Sequence, residues 1–354
     1  MKQRIFGHIE DLPDNCILES DLLTEQNVLL LPRMTVVTPE LKKSVSNYRG
    51  FISISVTTVD EEEISDSDVE ADESILFDEE FKRYAVESII NIYKNINEPD
   101  EIVDTVENLS SDLCSLVNSS VNLGVNLAKL KISDEYTYKH SVDVGTISAV
   151  IAANMDYDSD FVHGVSIAGI LHDLGKEKIP SGILNKTSRL SAQEFNIMKM
   201  HPVYSYQIMR EAKEIPEEIR QGMLNHHENK DGTGYPRKLV DKDIGDMAKI
   251  ITIADVFDAL VTERSYKRAM TPREAIEIMF TMSSKFDLNI FKAFLDIINV
   301  YPNGSEILLS NSEHAIVIKQ NRSYPLRPII KILETDEVVD LATDSHYLSV
   351  IITS

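Results

Sequence analysis

The sequence predicts a mainly α protein: a helical domain at residues 131–301, with small β-rich modules at the N- and C-termini. Between Tyr136 and Tyr301, apolar residues recur at helical spacing in one run after another, and strand signals are nearly absent. Before residue 58 and after Pro302, short β-like runs alternate with turn residues. Helix-start signals support the central assignment, since Ser191 with Glu194 makes a capping box and Thr271-Pro272 offers an N-cap followed by proline at N1.

Residues 1–58 carry runs at Asn27–Pro32, Thr35–Thr38 and Phe51–Thr57, with a helical patch near Pro39–Asn47. No cluster of catalytic residue types falls there, so this module is expected to pack or to meet a protein partner. Residues 59–80 read as an acidic linker, because Asp60–Glu80 contains neither Lys nor Arg. Residues 81–130 read as a helical segment of two amphipathic helices, Phe81 to Ile96 and Glu101 to Leu130, divided near Asn97-Glu98-Pro99. The stripe Val103, Val106, Leu109, Leu113, Leu116 and Val117 is expected to pack on the following domain; a homodimer through 81–130 would use the same residues. Helices are then expected at Tyr136–Asn154, Ser159–Leu174, Ser191–Ala212, Pro216–His227, Ile244–Leu260, Thr271–Met282 and Leu288–Val300. A β cap at 302–354 would use Glu306–Leu309, Ala315–Lys319, Ile329–Leu333 and Leu348–Thr353.

A formal net charge of −23 argues against polymeric nucleic acid as a partner, since phosphate polymers need a basic face. Any phosphate ligand must meet a local basic cluster. Cys16 and Cys114 are far apart and outside the His-rich region, which excludes a disulfide framework and a thiolate metal site. A reducing cytoplasm fits best. The stretch Met1–His8 lacks the apolar core of a signal peptide, and no run approaches the ~20 apolar residues of a membrane span. A soluble, cytoplasmic chain without membrane association is expected.

The stretch His226-His-Glu-Asn-Lys-Asp-Gly-Thr-Gly-Tyr-Pro236 places two imidazoles at a helix end and follows them with a tight loop. Upstream, His172-Asp173 opens a second anchor, His-Asp-Leu-Gly-Lys176. With His140, His201 and Asp255 these make a set of imidazole and carboxylate groups in otherwise apolar surroundings, such as Ile250–Phe257. A buried Asp needs a partner, and a cation would supply one. Imidazole and carboxylate without thiolate point to Fe, Mn, Zn, Co or Ni. A carboxylate such as Asp173 can bridge two cations; two metals would clamp a phosphodiester and generate a hydroxide nucleophile.

His172-Asp173-Leu-Gly-Lys176, Ile179-Pro180, His226-His227-Glu228, Asp231–Pro236, Ala254-Asp255 through Asp258-Ala259-Leu260, and Arg264-Ser-Tyr-Lys267 together resemble the HD-GYP family of phosphodiesterases. The resemblance covers about Tyr136 to Tyr301. It implies an all-helical HD-type catalytic domain that hydrolyses cyclic di-GMP to the linear dinucleotide and then GMP at a centre of two divalent ions, iron or manganese. It implies His140, His172, Asp173, His201, His226, His227 and Asp255 as ligands, with Asp173 bridging. Lys176, one helical turn after His172, is expected to steady phosphate or to protonate the leaving oxygen; Tyr235, Arg264 and Lys267 are expected to contact substrate. Members with three metals place a Glu where this chain has Tyr136, and Glu135 would point about 100° away on a helix, so two metals are expected. The alternatives are a non-hydrolysing cyclic di-GMP receptor or protein-interaction module, and a hydrolase of another phosphate ester, including a cyclic dinucleotide such as 3',3'-cGAMP.

Overall fold

A computed structural model describes residues 2–7, 16–18, 22–23, 29–31, 36–38, 42, 52–57, 77–119, 136–262, 269–322 and 324–353. The chain divides into two compact units, Met1–Asp68 and Val69–Ser354. In the first, β1 (Lys2–Gly7), β2 (Cys16–Leu18), β5 (Val36–Val37) and β6 (Ile52–Thr57) form an antiparallel sheet in the order β1-β6-β2-β5, beside a small β3–β4 pair (Leu22–Leu23 and Leu29–Leu31). The β reading of this module agrees with the strands described. Apart from Lys42, which is helical, the expected helical patch lies outside the described residues beyond Thr38.

The second unit opens on α1 (Glu79–Lys94), started by Asp78, whose Oδ1 accepts the Phe81 N–H at 2.7 Å, and α2 (Pro99–Ser119), with proline at its first position and Asp100 and Glu101 in its first turn. Val103, Val106, Leu109, Leu113 and Val117 are buried in the same core as α3 (Tyr136–Asn154) and α4 (Ser159–Leu171). The stripe is therefore covered by the chain's own helices. The expected continuation from Ser119 to Leu130 lies outside the described residues.

Helix α3 is buried without interruption from His140 to Ala152, because apart from His140 and Asp143 its residues there are apolar or small on every face. It packs on α4 and on α9 (Asp246–Val261), which is itself buried from Ile250 to Asp255. Around these lie a 3-10 turn at Leu174–Lys178, α5 (Ser181–Leu184), α6 (Ala192–Met198), α7 (His201–Met209), α8 (Glu217–Asn225), α10 (Pro272–Thr281) and α11 (Leu288–Ile297). Among the described residues no helix is long and apolar enough to cross a membrane.

Two helix expectations are corrected. Ser191–Ala212 is two helices, because Pro202 has no N–H for the Met198 carbonyl and its ring would crowd that turn; α6 stops at Met198 and α7 begins at His201. The helix expected to reach Leu174 ends at Leu171 and gives way to the 3-10 turn, so Lys176 does not lie one α-turn above His172. Both helix-start signals hold: Ser191/Glu194 and Thr271/Glu274 form complete capping boxes.

At the C-terminus β7 (Glu306–Leu308), β8 (His314–Lys319), β9 (Ile329–Ile332) and β10 (Val338–Asp340) form an antiparallel sheet in sequence order. Val338–Asp340 was not expected as a strand, and Leu348–Thr353 is not one: Ile352 makes a single bridge to Leu309. Two carbonyls of that segment, Leu348 O and Val350 O, are taken by Arg327 and Ile352 O by Arg273, while Ile351 O accepts the Ser310 N–H. The Arg327 guanidinium donates to Leu341 O at 2.9 Å, to Tyr347 O and Leu348 O at 2.9 Å each, and to Val350 O. Replacing it by Met removes every one of these donors at once. The expected result is a loss of about 2 kcal/mol or more, read as a lower denaturant midpoint; an unchanged midpoint would contradict this account of the cap.

Candidate metal centre

The helix ends aim the imidazoles. At the end of a helix the last carbonyls lack an intrahelical donor, and α4, α6 and α8 each offer one of theirs to a histidine three residues further on. The Nδ1–H of His172 donates to Gly169 O at 2.6 Å, that of His201 to Met198 O at 2.8 Å, and that of His226 to Met223 O at 2.7 Å. A carbonyl can only accept, so Nδ1 carries the proton and Nε2 is left as a lone pair turned toward the centre. His140 lies inside α3, where carbonyls are already used, and a carboxylate does the same work: its Nδ1 is 2.6 Å from Asp258 Oδ2.

Asp173 sits between the rings. Its Oδ2 is 3.4 Å from His140 Nε2 and 3.2 Å from His172 Nε2, while its Oδ1 is 3.2 Å from His201 Nε2. Asp255 Oδ1 lies 3.3 Å from His140 Nε2, and its Oδ2 is 3.8 Å from His227 Nδ1. Ligand atoms within 4.8 Å of one another form the groups His140/His172/Asp255, His172/Asp173/His226 and His201/His226/His227. The structure thus brings together all seven residues that the sequence singles out as ligands.

The donor set fits a cation. His172 Nε2 and Asp173 Oδ1 are fully buried with no hydrogen-bond partner. His201 Nε2 and His226 Nε2 are 3.3 Å apart, yet with both Nδ1 atoms protonated neither has a proton to offer the other. Burial and the neighbouring imidazoles push His226 well below its ordinary pKa, and burial pushes His227 down to about 3, so both rings are neutral. Burial alone would raise Asp173 and Asp255, but the histidines around both, with Lys176 beside Asp173, hold them well below the usual carboxylate range. Neutral imidazoles and ionised carboxylates are the forms that ligate divalent metals.

Lys176 Nζ donates to Asp173 Oδ2 from the 3-10 turn. That turn is locked to α7 through Ser205, whose Oγ accepts the Gly175 N–H at 2.8 Å and donates to His172 O at 2.7 Å. A methyl group at Gly175 would collide with the His201 carbonyl, which accounts for glycine between His172-Asp173 and Lys176.

The loop after His227 folds back over it. Tyr235 N donates to His227 O at 3.1 Å, and the two rings lie 4.6 Å apart. Buried Glu228 clamps the loop, its oxygens accepting Arg237 N at 2.6 Å and Leu239 N at 3.0 Å. Gly234 lies against the backbone of His227, Glu228 and Asn229, where a Cβ does not fit. Burial, then the Asp255 and Asp173 charges, push the Tyr235 phenol far up, so it stays protonated and able to donate. Lys176 and His227 are 28% and 25% exposed while His172 is fully buried, so the cluster opens to solvent on the side of those two residues. Arg264 and Lys267 lie outside the described residues.

Asp258 and Glu228 carry no assigned role in the sequence reading, although both fall within its motifs. The signal for Asp258 was its spacing: three residues after Asp255 puts it on the same face of α9. Asp143, Ser205 and Thr252 gave no such signal. Thr252 Oγ1 donates to His226 O at 2.6 Å, and burial followed by the Asp258 charge raises Asp143 well above an ordinary carboxyl. Asp258→Asn should weaken metal affinity about 10- to 100-fold, because an amide can present its NH2 to His140 Nδ1 and favour the wrong tautomer. Chelator competition checks this; wild-type affinity would contradict the role given to Asp258.

Comparison with known proteins agrees with this geometry. The HD domain family matches residues 113–290, just over half of the chain. A cyclic di-GMP phosphodiesterase of Pseudomonas aeruginosa is 33% identical over 236 residues, 66% of this chain and 56% of that protein. A cyclic di-GMP phosphodiesterase of Thermotoga maritima is 37% identical over 166 residues, 46% of this chain and 45% of that one. A 3'3'-cGAMP-specific phosphodiesterase of Vibrio cholerae is 35% identical over 170 residues, 48% of this chain and 36% of that protein. The chain thus spans about half the length of the first two relatives. It belongs to the HD domain family, and its His172-Asp173 and Gly234-Tyr235-Pro236 motifs set it in the HD-GYP group.

Proposed function

We propose that this protein is a metal-dependent phosphodiesterase that hydrolyses cyclic di-GMP to the linear dinucleotide, GMP or both. The observation that carries the reading is the pair of ligand groups on opposite oxygens of Asp173, His140/His172/Asp255 on one side and His201/His226/His227 on the other. That arrangement suits two divalent ions, of which iron and manganese match the nitrogen and oxygen donors. When bound, two such ions would supply Lewis acidity at the phosphodiester and lower the pKa of water.

The chain's own residues do the rest. The carbonyls of Gly169, Met198 and Met223, with Asp258, hold the imidazoles in one tautomer and one orientation. Hydrolysis forms one phosphorus–oxygen bond from water and breaks one to a ribose oxygen, which must receive a proton. Lys176 Nζ, beside Asp173 at the open side, is placed to give that proton or to offset the phosphate charge. Tyr235 would donate its phenol proton to the ligand. Arg264 and Lys267 are assigned to phosphate oxygens or guanine edges from their motif.

A second reading, hydrolysis of 3',3'-cGAMP, is favoured by the Vibrio cholerae relative. One experiment addresses both. Protein loaded anaerobically with Fe(II) or Mn(II) is incubated with each cyclic dinucleotide, and products are separated by chromatography. Conversion of cyclic di-GMP that stops on chelation, and is absent together with bound metal in Asp173→Ala, is the expected result. Wild-type turnover in Asp173→Ala would remove the metal mechanism; conversion of 3',3'-cGAMP alone would replace the substrate.

A further inference from the structure

Helix α6 lies on the surface, like the short α5 before it. It has no buried residue, and it turns Phe195 and Ile197 outward at 45% and 41% exposure. Yet the helix is firmly built: its N-terminus is closed by the Ser191/Glu194 capping box, and Lys186 Nζ meets both Glu194 oxygens at 2.7 Å. It is also tied to the metal centre, since its last residue, Met198, holds the His201 ring by its carbonyl. A rigid element therefore presents an aromatic ring to solvent.

That ring stands in a series. His227 is followed by Tyr235 at 4.6 Å between centroids, and Tyr235 by Phe195 at 6.4 Å in an edge-on arrangement. The series starts at the part-exposed His227 ring and ends at Phe195, 45% exposed. Lys199, one turn further along the chain, places its Nζ 4.8 Å from the Phe195 ring centroid. A half-exposed aromatic ring with a cation over one face, next in line after the Tyr235 ring at the His/Asp cluster, has the chemistry of a nucleobase subsite.

We propose that Phe195 is a substrate-binding residue on which a guanine of the cyclic dinucleotide stacks while the phosphate lies at the His/Asp cluster, with Lys199 facing the same base or the second phosphate. The inference rests on the function proposed above and adds to it the surface that reads the base. Ordinary packing against Tyr235 would also bring the two rings together, but it would leave no base-dependent signal.

The chain contains no tryptophan, so Phe195→Trp supplies a single reporter. Metal-loaded Phe195→Trp protein is mixed with cyclic di-GMP in a stopped-flow fluorimeter, and separately with inorganic phosphate, which can occupy the centre but carries no base. Calorimetry measures cyclic di-GMP binding by the wild type, Phe195→Ala and Phe195→Tyr. The proposal expects tryptophan emission to be quenched by the dinucleotide and not by phosphate. It also expects Phe195→Ala to bind about tenfold or more weakly and Phe195→Tyr to keep most of the affinity, in line with base–aromatic stacking. Silent emission with cyclic di-GMP bound, or wild-type affinity in Phe195→Ala, overturns the subsite and leaves the proposed function standing. No binding of cyclic di-GMP by the wild type overturns both.

Discussion

An ionised carboxylate, Asp173, is held inside a helical core, and the arrangement around it follows from that. Taking such a charge out of water costs several kcal/mol unless it is matched by close partners. Here Lys176 is the cationic partner, and the Nε2 lone pairs of His140, His172 and His201, 3.2 to 3.4 Å from the carboxylate, leave the remaining charge for a metal cation to match. Each of them must be delivered from a different element. α3 brings His140, the end of α4 brings His172, the start of α7 brings His201, and the 3-10 turn brings Lys176. The buried faces of α3, α4 and α9 fix where these elements sit, because close-packed interiors leave little room for adjustment.

Helix termini solve the orientation problem. A carbonyl at a helix end needs a donor, and an imidazole bound for a metal needs its far nitrogen protonated; Gly169, Met198 and Met223 meet both needs at once. Because His140 sits mid-helix, its partner has to come from across the core, and Asp258 fills that place. The Gly-Tyr-Pro loop is fixed in a similar way, by Glu228 accepting from its backbone and by glycine where the chain passes close to itself. Positioning and stability thus use the same hydrogen bonds.

Much of this is legible in the sequence, and the limits are physical. The helical domain follows from the spacing of apolar residues, and all seven cluster residues can be named from their types and motifs. The break at Pro202 was present in the sequence, but a strong apolar period on either side masked it. Leu348–Thr353 carries the residues of a strand, and only the tertiary placement of Arg327 and Arg273 shows that Leu348 O, Val350 O and Ile352 O are satisfied by side chains. Ser205 and Thr252 bond to backbone carbonyls, whose positions no residue pattern reveals. Asp143 on α3 meets the Asp258 charge of α9 across the core, a proximity that periodicity does not measure.

Two cations, as proposed, would be held on either side of Asp173. An anomalous-scattering map of crystals of the manganese-loaded protein tests this most directly. The account predicts two peaks per chain, one among His140, His172 and Asp255 and the other among His201, His226 and His227, with Asp173 between them. Three well-occupied sites, or metal bound away from these residues, would contradict it.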